Sequence, residues 1–175
     1  GYRVIHRNSP DLRGIDVAMF YRSDFFIPLY NDWITIRFPF DTAVQTREIL
    51  YVKGLLFDAD TIHLFINHWP SRRGGEAASA PRRNYVATVL REKVDSIIQS
   101  AVGSGQYSPT RQFTSSPIHY PFIIIMGDFN DEPENESLRN ILSARLDTSD
   151  ITPDDLINIM HLKAGRECSH KFREH

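Results

Sequence analysis

Six consecutive apolar residues, Pro121-Phe122-Ile123-Ile124-Ile125-Met126, run directly into Gly127-Asp128-Phe129-Asn130-Asp131. This junction constrains the fold more than any other feature. A short apolar run bounded by turn residues predicts a strand buried on both faces at the centre of a sheet. A glycine at its end lets the backbone turn sharply. Residues i and i+2 of an extended backbone share a side, so Asp128 and Asn130 can converge on one ligand. A carboxylate and an amide oxygen suit a hard cation such as Mg²⁺. Asn130 can instead donate to a phosphate oxygen. The same residue types also suit a plain polar turn ahead of a helix.

The chain before this junction reads as strands. Tyr2 to His6 is β-rich, and Asn8-Ser9-Pro10-Asp11 is a turn cluster. Ile15 to Tyr21 predicts a buried strand carrying one carboxylate, Asp16, with Arg13 or Arg47 as its ion-pair partner. Phe25 to Tyr30, interrupted by Pro28, and Trp33 to Phe38 predict two further strands. Arg47 to Phe57 and Thr61 to Asn67 predict a hairpin turning at Asp58-Ala59-Asp60. His63 alternates with Ile62 and Leu64 and is expected to face outward.

The middle changes character. Pro70 to Pro81 is a polar, glycine-containing loop, after which Ser79 is expected to cap a helix with Pro81 near its start. Val86, Val89, Leu90, Val94, Ile97 and Ile98 form one helical stripe, which Gly103 and Gly105 should stop. Residues 104–117 form a loop. Pro133 should start a second helix through Leu138, Ile141 and Leu142, a third is expected around Asp154 to Leu162, and Cys168 to Phe172 should begin a strand. Strands with a few amphipathic helices argue for an α+β layered sandwich in one domain of 175 residues.

A second chemical signal is Ile66-Asn67-His68-Trp69-Pro70-Ser71-Arg72-Arg73. Here a histidine sits where a strand gives way to a basic loop. Residues 71–93 carry a net charge of +4, whereas 128–155 carry −7. The whole chain is near neutral at −2, so a phosphate-bearing partner must be met by a local patch. A basic loop beside an acidic, cation-compatible loop suits a phosphoester with a divalent ion. Taken singly, each residue also reads as an ordinary strand end or a solvated arginine. One cysteine, Cys168, excludes an internal disulfide framework and a four-cysteine zinc site. No stretch approaches 18 consecutive apolar residues, so no transmembrane segment is expected.

Three motifs in order carry a resemblance. They are Arg13-Gly14-Ile15-Asp16-Val17-Ala18, Asn67-His68-Trp69-Pro70-Ser71-Arg72, and Gly127-Asp128-Phe129-Asn130-Asp131-Glu132-Pro133. Together they resemble the endonuclease/exonuclease/phosphatase superfamily, the deoxyribonuclease-like phosphoesterases. The resemblance implies a four-layer α/β/β/α sandwich of two mostly antiparallel sheets. It implies metal-dependent hydrolysis of a phosphoester, of nuclease or phosphodiesterase type, with Mg²⁺ or Mn²⁺. Asp128 and Asn130 match the motif that orients water and holds metal or phosphate. His68 matches the histidine that stabilises phosphoryl oxygens or assists the leaving group. Arg72 and Arg73 are the candidate substrate-binding cations, and nucleic acid is among the candidate substrates.

The family's upstream asparagine and metal-binding glutamate have no match here, nor does its C-terminal aspartate-histidine pair. The expectation is a domain incomplete at both ends and inactive by itself, within an active parent. Uncovered sheet edges should then favour self-association. The alternative is a non-catalytic module that keeps the fold and binds phosphate or protein.

Overall fold

The structure is a computed structural model that describes residues 1–57, 60–101, 121–152 and 155–160. The expected turn at 58–60, the helix end at Gly103 and Gly105, the 104–117 loop and the 168–172 strand lie outside the described residues, wholly or in their decisive part.

Strands β1 (Tyr2–His6) and β2 (Ala18–Arg22) form an antiparallel pair, with Val4 opposite Phe20. Strands β3 (Phe26–Ile34), β4 (Ile49–Leu56), β5 (Asp60–His68) and β6 (Phe122–Asp128) form a sheet in that order. The first three are antiparallel neighbours, whereas β5 and β6 run parallel. A parallel pair needs a long crossover, and helix α1 (Glu76–Ala101) lies within it. A single π-helical turn spans Ser137–Ile141, closed by Leu142 N–H donating to Ser137 O at 2.9 Å. Two-residue strands β7 (Ala144–Arg145) and β8 (Leu156–Ile157) pair parallel.

Period-two alternation sends the sheet's side chains to two cores. On one face Ile49, Tyr51 and Phe65 meet Val86, Leu90 and Val94 of α1, with Leu138 and Leu142 beside them. Each of these helix side chains contributes roughly 1.5–3 kcal/mol by leaving water. On the other face Leu50, Val52, Ile62 and Leu64 meet Ile5, Met19 and Tyr21 of the β1–β2 pair. The described residues are thus a helix layer, a four-stranded sheet and a second, two-stranded sheet: an α+β layered fold.

Several expectations change. The 121–126 run is not central: among the described residues β6 has a neighbour on one side only. Ile123 and Ile125 pack on the α1 side, while Phe122, Ile124 and Met126 are exposed on the other. An apolar run reports which side chains avoid water, not how many strands flank it, and β1–β2 packs away from β6. The two strands expected between Phe25 and Phe38 are one, bulged between Pro28 and Tyr30, where proline offers no N–H to the ladder. It ends at Ile34, and Ile36 and Phe38 drop into the core under α1.

Helix α1 begins at Glu76 rather than after Ser79, because Gly74 and Gly75, both at positive φ, end the loop earlier. Ser79 lies in the first turn, its hydroxyl donating to Gly75 O at 2.8 Å. The helix expected from Pro133 shrinks to the π-helical turn, and Leu156–Ile157 within the expected third helix is strand. His63 is buried, not outward: it faces α1, and its Nδ1 lies 2.7 Å from the Tyr51 hydroxyl, hydrogen-bonded to it.

Candidate active site at the ends of two parallel strands

The β5–β6 register sets His68 opposite Asp128. His68 follows Leu64 and Ile66 in alternation and Asp128 follows Ile124 and Met126, so both emerge on the face opposite α1. His68 Nε2 lies 3.9 Å from Asp128 Oδ2. The strands stay locked past their last pair because Trp69 N–H donates to Asp128 O at 2.8 Å.

Gly127 makes this closeness attainable. Its φ is +128°, and an added Cβ would stand 2.0 Å from Asn67 O. Asn67 is buried and holds both strands: Nδ2 donates to Phe65 O at 3.0 Å and to Met126 O at 3.3 Å. Its Oδ1 accepts from Trp69 Nε1 at 3.0 Å. Trp69 is therefore a packed post, edge-on to Phe129 with ring centroids 5.0 Å apart. It is not a stacking surface.

Asp128 and Asn130 form a small cage. Asp128 Oδ1 accepts from Asn130 N–H at 2.9 Å, which holds Asn130 at φ +52°. Asn130 Nδ2 donates to Trp69 O at 3.0 Å. Among the described residues these bonds leave Asp128 Oδ2 and Asn130 Oδ1 as acceptors open to a ligand. Both are hard oxygens, the type Mg²⁺ takes in small number while keeping its waters. The donor set thus fits two positions of a divalent ion's shell. Among the described residues no three His, Cys, Asp or Glu side chains group into a fuller cation site.

Burial, more than the nearby Arg47 cation, holds the His68 pKa below the usual histidine value, and Asp128 pulls weakly the other way. His68 is accordingly neutral near pH 7 and carries one N–H donor.

Arg72 reaches this site through its guanidinium, which is engaged by the loop rather than free. Nε donates to Asn130 O at 2.9 Å, and Nη2 to Asn135 Oδ1 at 3.1 Å. Nη1 lies 3.4 Å from Glu76. All three nitrogens hold the 130–135 loop to the helix start. Arg73 is exposed next to it.

Two buried ion pairs behind the site escaped the sequence reading. Asp11, read as a turn residue, accepts from Arg47 Nη1 at 2.7 Å. Arg47 also donates to His68 O at 3.0 Å and to Trp69 O, so one guanidinium fixes the backbone that carries the histidine. The Arg13 guanidinium above all, offset in part by burial, holds the Asp11 carboxyl well below the usual carboxylate range. In the loop after β6, Asp131 Oδ1 lies 2.7 Å from Nε of the fully buried Arg83, and Oδ2 accepts from Ser137 Oγ. The available signal was the pairing of isolated charges with apolar flanks, but spacing in sequence does not say which meet. Asp16, expected to pair with Arg13 or Arg47, instead precedes β2. It accepts from Ser9 N–H at 2.8 Å and lies 3.0 Å from His6 Nε2.

A sequence profile of the endonuclease/exonuclease/phosphatase family matches residues 1–107. Among solved structures, the human Nocturnin catalytic domain with bound sulfate anion is similar at a TM-score of 0.54 and 19% identity. The similarity covers 83% of this chain and 49% of that one. ANGEL2, a 2',3'-cyclic phosphatase, is similar at a TM-score of 0.50 and 17% identity, over 81% of this chain and 35% of that one. At these identities the likeness is one of fold. The chain spans half or less of the length of these neighbours. No curated protein sequence matches it.

Proposed function

Because the chain belongs to the endonuclease/exonuclease/phosphatase family, we propose that it carries part of the active site of a metal-dependent phosphoester hydrolase. The observation that supports this most is the register of His68 with Asp128 at the ends of two parallel strands, with Asn130 on the same loop. In this reading neutral His68 donates its N–H as a hydrogen bond to a phosphoryl oxygen, or to the leaving oxygen, as charge develops there. Asp128 Oδ2 orients the attacking water and accepts its proton. Asn130 keeps its amide nitrogen on Trp69 and turns Oδ1 to the ligand side.

A divalent ion, Mg²⁺ or Mn²⁺, held in part by Asp128 and Asn130, supplies positive charge to the phosphoryl oxygens when bound. Two protein oxygens are a thin ligand set, so the 175 residues alone should bind the ion weakly and turn over little. A form extended to the length of the structural neighbours is the proposed enzyme. In it Arg72 keeps the loop in place, and Arg73, exposed, meets a polyanion, nucleic acid included. The edge of β6 that is unpaired among the described residues, with its exposed Phe122, Ile124 and Met126, is the proposed route of self-association in the shorter form.

The test is hydrolysis of bis-p-nitrophenyl phosphate, DNA and RNA with Mg²⁺, with Mn²⁺ and with chelator, using both lengths. Metal-dependent turnover by the extended form alone is the expected result. No turnover by either, with phosphate binding retained, would replace the enzyme by a phosphate-binding module.

A further inference from the structure

The Arg13-Gly14 motif is left without a role by the site described above, yet it is tied to that site. Residues 11–14 form a tight turn: Gly14, at φ +68°, donates its N–H to Asp11 O at 2.9 Å. Within the turn Arg13 clasps Asp11 twice, Nε to Oδ1 at 3.1 Å and Nη2 to Oδ2 at 2.9 Å. The same Asp11 Oδ2 takes Arg47 Nη1, and Arg47 binds the His68 carbonyl. Arg13 and His68 are thus joined through one carboxylate and one guanidinium.

The charge count of this chain of contacts does not close. One carboxylate faces two guanidiniums, a surplus of one positive charge. Arg47 cannot carry the surplus to a ligand, because its side chain is 2% exposed and all three of its nitrogens are engaged. Arg13 can: its side chain is 48% exposed, and among the described residues Nη1 has no partner. The bidentate clasp to Asp11 also holds the guanidinium in one orientation, which lowers the entropy lost when a ligand binds.

We propose that Arg13 is an anion-binding residue of the His68 site, its free guanidinium edge taking an oxygen of a phosphate group. Asp128 carries a negative charge 3.9 Å from His68, so a phosphate taken by Arg13 and by a cation at Asp128 meets complementary fields. That this phosphate belongs to a hydrolysed ester rests on the proposed function; that Arg13 binds it does not.

The experiment is calorimetric titration of the 175-residue chain with inorganic phosphate at fixed ionic strength, without added metal. The parent chain is compared with Arg13→Gln, Arg13→Lys and Arg3→Gln, the last removing an equal charge from the exposed part of β1. A thermal melt first establishes that each variant is folded. Loss of a charge-assisted contact should weaken phosphate binding roughly tenfold or more in Arg13→Gln. Arg13→Lys should fall between, and Arg3→Gln should match the parent. The inference is overturned if Arg13→Gln binds like the parent, if Arg3→Gln weakens binding as much, or if the parent takes up no phosphate. None of these results bears on hydrolysis, which the extended form tests separately.

Discussion

Asp128 and His68 face each other across the β5–β6 ladder, with Oδ2 and Nε2 3.9 Å apart. That gap is too long for a direct hydrogen bond and short enough for both groups to reach one water or one phosphoryl oxygen. Everything around the pair serves to hold it: Gly127 permits the approach, Asn67 locks the strands, and Arg47 fixes the histidine's backbone.

Gly127→Ala should therefore damage the fold as well as the site. The new methyl group meets the Asn67 backbone, not a movable side chain, and the backbone sits in a region that suits glycine. A loss of about 3 kcal/mol or more is expected in urea denaturation. A variant as stable as the parent would show that the β5–β6 approach is looser than described.

Asp11→Ala should be similarly costly for another reason. Both Asp11 and Arg47 are buried, and removing the acid leaves the Arg47 cation without compensation. Breaking such a pair costs roughly 3–5 kcal/mol. The same denaturation curve checks it, and a loss below about 1 kcal/mol would place the pair among weak surface contacts.

His63 predicts a pH dependence. Burial first, then the Lys53 cation, pushes its pKa down to about 4 from 6.5. The unfolded chain therefore takes up a proton that the folded chain refuses between those values. This contribution is full above pH 6.5 and is lost as pH falls toward 4, amounting to about 3 kcal/mol. His63→Phe should flatten that part of the stability profile. An unchanged slope would assign the acid sensitivity elsewhere.

The two chemical loops were legible in the sequence because each places polar residues of restricted type where an apolar strand stops. His68, Asp128 and Asn130 could be named, and their shared strand ends anticipated, from that pattern. What holds them could not. Asp11 and Arg47 are 36 residues apart, and nothing local distinguishes Arg47 pairing with Asp11 from pairing with Asp16. His63 misled for a related reason: alternation assigns it the face opposite Ile62 and Leu64, but α1 turns that face into core. The run at 121–126 misled because hydrophobicity does not reveal neighbours. Arg72, readable as a free cation, is consumed by loop carbonyl and carboxylate oxygens that only the folded chain brings to it.

His68→Ala in the extended form should lower kcat by roughly 10²–10⁴-fold, the range of an acid-base or proton-donating group. Stability should change little, because among the described residues the imidazole makes no polar contact shorter than 3.9 Å, while its backbone is held by Arg47. Steady-state kinetics with a parallel melt checks this. A large fall in melting temperature with activity per folded molecule retained would make His68 a structural residue.

Turnover per folded molecule of Asp128→Asn in the extended form, with bis-p-nitrophenyl phosphate and Mg²⁺, tests the account most directly. Asparagine keeps the Oδ1 acceptor that Asn130 N–H uses, so the turn should survive. It removes the charge on Oδ2, and with it the group proposed to orient water and hold the ion. The account predicts a fall of roughly 10²–10³-fold or more with a melting temperature close to the parent's, since the turn's hydrogen bond is kept. An unfolded variant, or a folded one that hydrolyses as the parent does, would contradict it and make Asp128 a residue of the turn alone.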